Sequence, residues 1–384
     1  MNRSALWKKN GHKTTPTIDK HRKILNNNRI APRMHATGRL ADDRAFFRPQ
    51  RRHDTSDEVR MITLSHIHKT FRVTRRETGL TAAARALFSR QVDIIRALDD
   101  VSFHIDAGEM VGYIGPNGAG KSSTIKVMSG VLTPDSGTCT ILGRTPWRDR
   151  IAHVRDIGVV FGQRSQLWWD VPVGDSFAML RDIYRVPEAD YRRTRDRLCD
   201  LLDLGTLLRT PTRQLSLGQR MRCEIAASLL HSPRLLFLDE PTIGLDAVSK
   251  IAVRGFIRTL NQEQGTTVLL TTHDMQDIEA ITQRILLIGK GRILLDTELA
   301  ALQKRYGRHK GLTLTYAGTL PPLAPGLTVR EAQPGRAELG VDTAVCPLSQ
   351  AIAALSAAVQ VTDLAVSDVP VEEMVAQLYQ EYRL

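Results

Sequence analysis

No stretch of this sequence carries 18 uninterrupted apolar residues, and its N-terminal region is rich in Lys, Asn and Arg without an apolar segment, so neither a membrane span nor a secretory signal is expected. Cysteine is scarce. Cys139, Cys199, Cys223 and Cys346 are scattered with no C-x-x-C spacing, which sets aside a zinc knuckle and a disulfide framework and suits a reducing compartment. Aromatic residues reach only 5%, and no internal repeat is visible. What is present, 42% hydrophobic and 24% charged residues, supports a real core and is unlike a fibre or a disordered chain. At 384 residues, with about 100 to 200 residues per domain, two or three folded units are expected.

The formal net charge of +12 invites a nucleic-acid reading, but it is unevenly placed. Residues 1–60 hold 15 Lys+Arg against 6 Asp+Glu, a surplus of +9; the other 324 residues hold 38 against 35, a surplus of +3. The body is nearly neutral, so no nucleic acid is expected as a partner. Residues 1–60 lack sustained periodicity and read as a basic, solvated and disordered extension, with an arm for nucleic acid or lipid headgroups as the other reading. Met61 opens the first strand-like run, which also fits a start at that residue.

The pattern at 97–105 suggests a half-buried strand, and residues 73–96 read as an inserted basic helical excursion. Short apolar runs at 110–114, 157–161, 235–238 and 267–270 then alternate with helical stretches, predicting an α/β core with a mostly parallel sheet. Residues 165–230 break the alternation with helical patterns at 191–207 and 219–230, a candidate helical subdomain. Gly289-Lys290-Gly291 reads as a hairpin turn between two apolar runs. Past residue 310, prolines punctuate short strand-like pieces, and helices are expected near 348–359 and 371–382. Residues 310–384 therefore read as a small C-terminal α+β domain.

The decisive segment is Gly115-Pro116-Asn117-Gly118-Ala119-Gly120-Lys121-Ser122, a full G-x-x-x-x-G-K-[ST], with Ser123 opening the following helix. Glycines let backbone N–H groups turn inward around phosphate oxygens. Lys121 reaches the terminal phosphates, and Ser122 can ligate Mg²⁺. A second apolar strand ends at Asp239-Glu240, where ligands sit in parallel sheets. Asp239 suits Mg²⁺, and Glu240 is placed to take a proton from an attacking water.

With these motifs the chain resembles the nucleotide-binding subunit of an ABC transporter, over roughly residues 61–305. The block Leu215-Ser216-Leu217-Gly218-Gln219 is similar to the family signature L-S-G-G-Q, with Leu217 in place of the first Gly. The resemblance implies a P-loop NTPase core with an antiparallel β subdomain and a helical subdomain at about 165–230. It also implies that Ser216, Gly218 and Gln219 touch ATP held by an opposite subunit, so that two chains face head to tail around two ATP-Mg. Gln163 resembles the glutamine that touches Mg²⁺ or the lytic water, His273 the switch histidine that senses the γ-phosphate, and Asp246 in Gly244-Leu245-Asp246 the loop joining the two sites. Phe71 matches the adenine-stacking aromatic, the other reading being a core Phe on the first strand.

Separately encoded polytopic permease subunits are the implied transport partners, with a second copy of this chain or a homologous subunit as ATPase partner. Membrane contact is then indirect, at the cytoplasmic face of the inner membrane. Trp168-Trp169, soon after Gln163, are candidate permease anchors or else helical-subdomain core. The segment 159–169, the insertion before the phosphate loop and the Ser-Leu-Gly-Gln-Arg signature look like exporter ATPases of the daunorubicin-resistance and sodium-extrusion type. An importer ATPase is one alternative, and a nucleic-acid- or ribosome-associated ABC ATPase the other.

Overall fold

The computed structural model describes residues 60–74, 92–162, 164–306 and 308–384. β1 (Arg60–Thr74) and β2 (Val92–Asp106) form an antiparallel ribbon, and β3 (Met110–Ile114) leads through a loop into α1 (Lys121–Met128). β4 (Ser136–Ile141) returns to pair with β1, giving a three-stranded sheet in the order β2-β1-β4. α2 (Arg150–Asp156) precedes β5 (Ile157–Phe161). A helical layer follows: α3 (Val173–Tyr184), α4 (Glu188–Leu202), tight turns at Leu207–Arg209 and Thr212–Gln214, and α5 (Leu217–Leu229).

β6 (Leu235–Asp239), α6 (Ala247–Gln264), β7 (Thr267–Thr271), α7 (Met275–Ile281), β8 (Arg284–Gly289), β9 (Arg292–Glu298) and α8 (Leu299–Tyr306) complete the body. The main sheet runs β5-β6-β7-β3-β8-β9, parallel except for the β8–β9 hairpin. This is the expected α/β P-loop architecture.

Burial explains why these strands read as unbroken apolar runs. In β6 the residues Leu236 and Leu238 face the helical layer, while Leu235 and Phe237 face the layer of α1 and the three-stranded sheet. Because strand side chains alternate, a strand covered on both faces must be apolar at every position. Val268 and Leu270 of β7 divide from Leu269 in the same way.

Three expectations need correction. The ladder pairs Phe71 with Ile95, Arg72 with Ile94, Val73 with Asp93 and Thr74 with Val92, so residues 73, 74 and 92–96 are strand rather than helical insertion. Cross-strand hydrogen bonding outweighs a local pattern there; residues 75–91 lie outside the described residues, as do 1–59. Arg60, assigned to the extension, is the first residue of β1. The helix expected over 191–207 stops at Leu202, where Asp203 turns to φ 51° and the Leu204 N–H bonds to Cys199 O (2.9 Å).

β10 (His309–Ala317), β11 (Leu327–Gln333), β12 (Arg336–Asp342) and β13 (Gln360–Asp368) form an antiparallel sheet in the order β11-β12-β10-β13. α9 (Leu348–Ala358) covers one face, with Ala351 and Leu355 against Leu312, Leu314 and Leu339. α10 (Val371–Glu381) does otherwise: its Val371, Met374, Val375 and Leu378 join Ile278, Ile281, Leu299 and Leu302 in the core of the body.

Candidate nucleotide site

The phosphate loop is held by contacts only glycine tolerates at two positions. A Cβ on Gly115 would lie 2.2 Å from Ile288 O, and one on Gly120 2.6 Å from Ala97 O, where φ is +115°. Gly120 caps α1 with no side-chain bond, and the first turn of α1 carries no acidic residue, so its positive end faces the loop uncompensated. Lys121 is buried, its Nζ donating to Gly115 O (2.6 Å) and Pro116 O (3.2 Å). Burial lowers its pKa, opposed by the charges of Glu240 and Asp239. From below, the turn between β8 and β9 supports the loop: the Gly291 N–H donates to Ala119 O (2.9 Å), and Gly291 O accepts from Asp99 N (2.8 Å).

Asp239 ends β6 beside β7, and the Thr271 hydroxyl donates to its Oδ1 (2.5 Å). Glu240 follows at φ 55°, in the left-handed region that costs a non-glycine residue about 1–3 kcal/mol, and its N–H donates to Thr271 O (2.9 Å). That turn aims the carboxylate off the strand end, where Glu240 Oε1 lies 3.4 Å from His273 Nδ1. Both residues line one cleft of ≈ 240 Å³ with Thr242, Gly244, Lys250 and Asp274. Two of the three catalytic candidates, 33 residues apart in sequence, are thus brought together. Gln163 lies outside the described residues.

Ser216 caps α5 in a capping box: its hydroxyl accepts from Gln219 N (3.2 Å), and Gln219 Oε1 accepts from Ser216 N (2.9 Å). The Ser216 O–H stays able to donate outward. Leu217 is exposed and rests on the segment before α6, since a Cβ on Gly244 would meet Leu217 Cδ2 at 2.7 Å. A Cβ on Gly218 would meet Ser249 Oγ at 2.6 Å. Asp246 caps α6 through Ser249 N (2.9 Å) and Ser249 Oγ (2.8 Å), and these bonds hold its carboxyl below the usual range.

Phe71 is not a core residue. It is 37% exposed on the ribbon, with Lys69 Nζ 5.9 Å from its ring centroid. It pairs with Ile95, two residues along β2 from the Ala97 that abuts Gly120. Trp168 and Trp169 are 40% and 54% exposed, so neither is packed into the helical layer.

Sequence reasoning missed Asp277. Fully buried in α7, it accepts from the hydroxyls of Thr242 and Thr272 (the latter 3.0 Å) and from Arg254 Nε (2.6 Å). It thereby ties the segments after Glu240, before His273 and after Asp246 into one network. No local signal marks it, because its partners are 35, 5 and 23 residues away.

Comparison with known proteins gives the chain a family. The family description "ABC transporter" matches residues 98–243. The chain is 33% identical over 226 residues to the daunorubicin resistance ATP-binding protein DrrA3 of Streptomyces coeruleorubidus, covering 59% of this chain and 71% of that protein. It is 35% identical over 205 residues to the sulfate/thiosulfate import ATP-binding protein CysA of Rhodopseudomonas palustris (52% of this chain, 58% of that one). To the daunorubicin/doxorubicin resistance ATP-binding protein DrrA of Streptomyces peucetius it is 35% identical over 215 residues (55% and 64%). The chain thus spans about three-fifths of the length of these last two relatives. Among solved structures, a dimeric ATP-binding cassette in a post-hydrolysis state with ADP and Pi matches with TM-score 0.52 and 27% identity, over 62% of this chain and 99% of that one. A third of the residues shared over more than two thirds of a relative's length, on a chain with this phosphate loop, is not chance likeness, and the chain belongs to the ABC transporter family of ATP-binding proteins.

Proposed function

We propose that this chain hydrolyses ATP as one half of a head-to-tail pair and drives export through separate permease subunits. The observation that carries the reading is the meeting of Glu240 and His273, 3.4 Å apart at the ends of neighbouring strands, in the sheet whose strand β3 presents the phosphate loop.

The loop N–H groups and the end of α1 would bind phosphate oxygens, with Lys121 neutralising the terminal charge. Ser122 and Asp239 would hold Mg²⁺ with oxygen donors of the kind it takes, and the Thr271 hydroxyl on Asp239 Oδ1 steadies that carboxylate. When bound, Mg²⁺ supplies charge neutralisation on the phosphates. Glu240 accepts the proton of the attacking water, and His273 holds the reacting end of the nucleotide against it. The ≈ 240 Å³ cleft that Glu240 and His273 line includes none of residues 115–122, and in this reading a second chain closes the site over the nucleotide. Ser216, Gly218 and Gln219 would supply that closure to the partner's ATP, with Asp246 beside them and Phe71 against the adenine.

Export is favoured by the daunorubicin-resistance relatives and by the 159–169 segment. Relatives named for sulfate/thiosulfate and methionine import keep import as a second reading. Among the described residues no helix is long and apolar enough to cross a membrane, so contact with the inner membrane would pass through the permease, with Trp168 and Trp169 as anchors. Glu240→Gln is expected to keep nucleotide binding and lower turnover roughly 10²- to 10⁴-fold in a phosphate-release assay. Near-normal turnover would remove Glu240 from the base role.

A further inference from the structure

Glu224 sits midway along α5, roughly 10 Å from its signature end at 1.5 Å rise per residue. It is 4% exposed, and the hydrolytic chemistry above does not use it. A buried carboxyl is costly unless its oxygens are hydrogen-bonded. Burial pushes this one's pKa up, opposed by bonds from Ser165, Gln166 and Leu167. Oε1 accepts from the Ser165 hydroxyl and Oε2 from the Gln166 N–H (3.1 Å). Gln166 Nε2 in turn donates to the main-chain carbonyl of Glu224 (2.9 Å). Side chain and main chain of one helical residue thus hold the stretch that begins two residues past Gln163.

That stretch carries the two exposed indoles. The Trp168 N–H donates to Oγ of buried Ser176 in α3 (3.2 Å). Farther on, Trp169 O accepts from Arg213 N (3.0 Å) and Val171 O from Thr212 N (3.2 Å), within the turn that runs directly into Leu215 and Ser216. The indole surface is therefore clamped at two places, the middle of the signature helix and the approach to its first turn.

We propose that Glu224 is a positioning residue that makes the Trp168-Trp169 surface and the signature helix one mechanical body, so that nucleotide engaged at Ser216 is registered at the indoles. This rests on the paired-subunit reading. An alanine at 224 leaves the Gln166 N–H without its acceptor and turns the Ser165 hydroxyl back to Leu167 O (3.1 Å). A glutamine keeps both partners, its NH₂ donating to Ser165 Oγ and its carbonyl accepting from Gln166.

The test is hydrogen exchange read by mass spectrometry on the full chain, with and without the magnesium complex of a non-hydrolysable ATP analogue. In the intact chain, exchange should slow about threefold or more in peptides covering both 215–229 and 165–171. Glu224→Ala, which keeps only the main-chain bond from Gln166 Nε2 at this clamp, should keep the first response and cut the second about twofold or more, and Glu224→Gln should behave as the intact chain. Gln166→Ala, which removes only the side-chain bond to the Glu224 carbonyl and keeps the Gln166 N–H on Oε2, should likewise halve the second response. A merely structural Glu224 would instead speed exchange in both segments alike and leave their responses linked. Alanine variants that still respond at 165–171 like the intact chain, or an intact chain protected only at 215–229, would overturn the proposal. Absent protection at 215–229 in the intact chain is a distinct failure: it removes the paired-subunit reading, and this inference with it.

Discussion

The phosphate loop and the signature end are both helix starts, yet they are built on opposite terms. The loop is sealed into the body: Gly115 and Gly120 press on the backbone of β8 and β2, Lys121 is buried, and Gly291 supports it from beneath. The signature end is presented outward, with Ser216 and Leu217 exposed and the capping box made of bonds no longer than three residues. One end is finished by the chain's own contacts. The other packs Gly218 against Ser249, yet has its local hydrogen bonds met and Ser216 and Leu217 exposed, as a group that meets a second molecule must.

Variants can break that contrast. The largest effect is expected at Asp277, which fastens the segment after Asp246 to the sealed side. Asp277→Ala would remove the buried acceptor shared by Thr242, Thr272 and Arg254, leaving the guanidinium Asp274 (3.3 Å), and should cost about 3 kcal/mol of stability in denaturant unfolding. Lys121→Ala should weaken binding of ATP by the single chain about 100-fold, roughly 2.7 kcal/mol, in calorimetric titration. Ser216→Ala should cost only about 1 kcal/mol of stability through the lost cap and leave single-chain binding unchanged, while turnover falls. If the serine variant lost single-chain binding as the lysine variant does, the two ends would not differ in the way argued here.

Much of the fold was legible because the chemistry is local. The loop announces itself through glycines demanded by close backbone approach, and β3, β5, β6 and β7 through apolar runs that only doubly covered strands need. The C-terminal pieces were legible as elements but not as neighbours: the apolar stripe of α10 says that a partner exists, not that the partner is α7 and α8 rather than its own sheet. Glu224 and Asp277 were invisible for a related reason. A carboxylate inside a helical pattern reads as a solvated face until distant hydroxyls and an arginine are brought to it. The strand ends at 73–74 and 92–96 were misread because a ribbon's register, not its own composition, holds them extended.

The hairpin turn at Lys290 and Gly291 has a practical bearing on how this protein is handled. A two-residue turn with φ 51° and 78° is ordinarily a safe place to graft an epitope or a fluorophore. Here both main-chain groups of Gly291 are committed to Ala119 and Asp99, and Lys290 Nζ reaches Arg383 O (3.0 Å). A label inserted there would pull at the nucleotide cradle and the segment after α10 together, so the turn between Gln333 and Arg336, whose Gly335 O accepts from Tyr316 N within the C-terminal sheet (2.9 Å), is the better choice for a reporter.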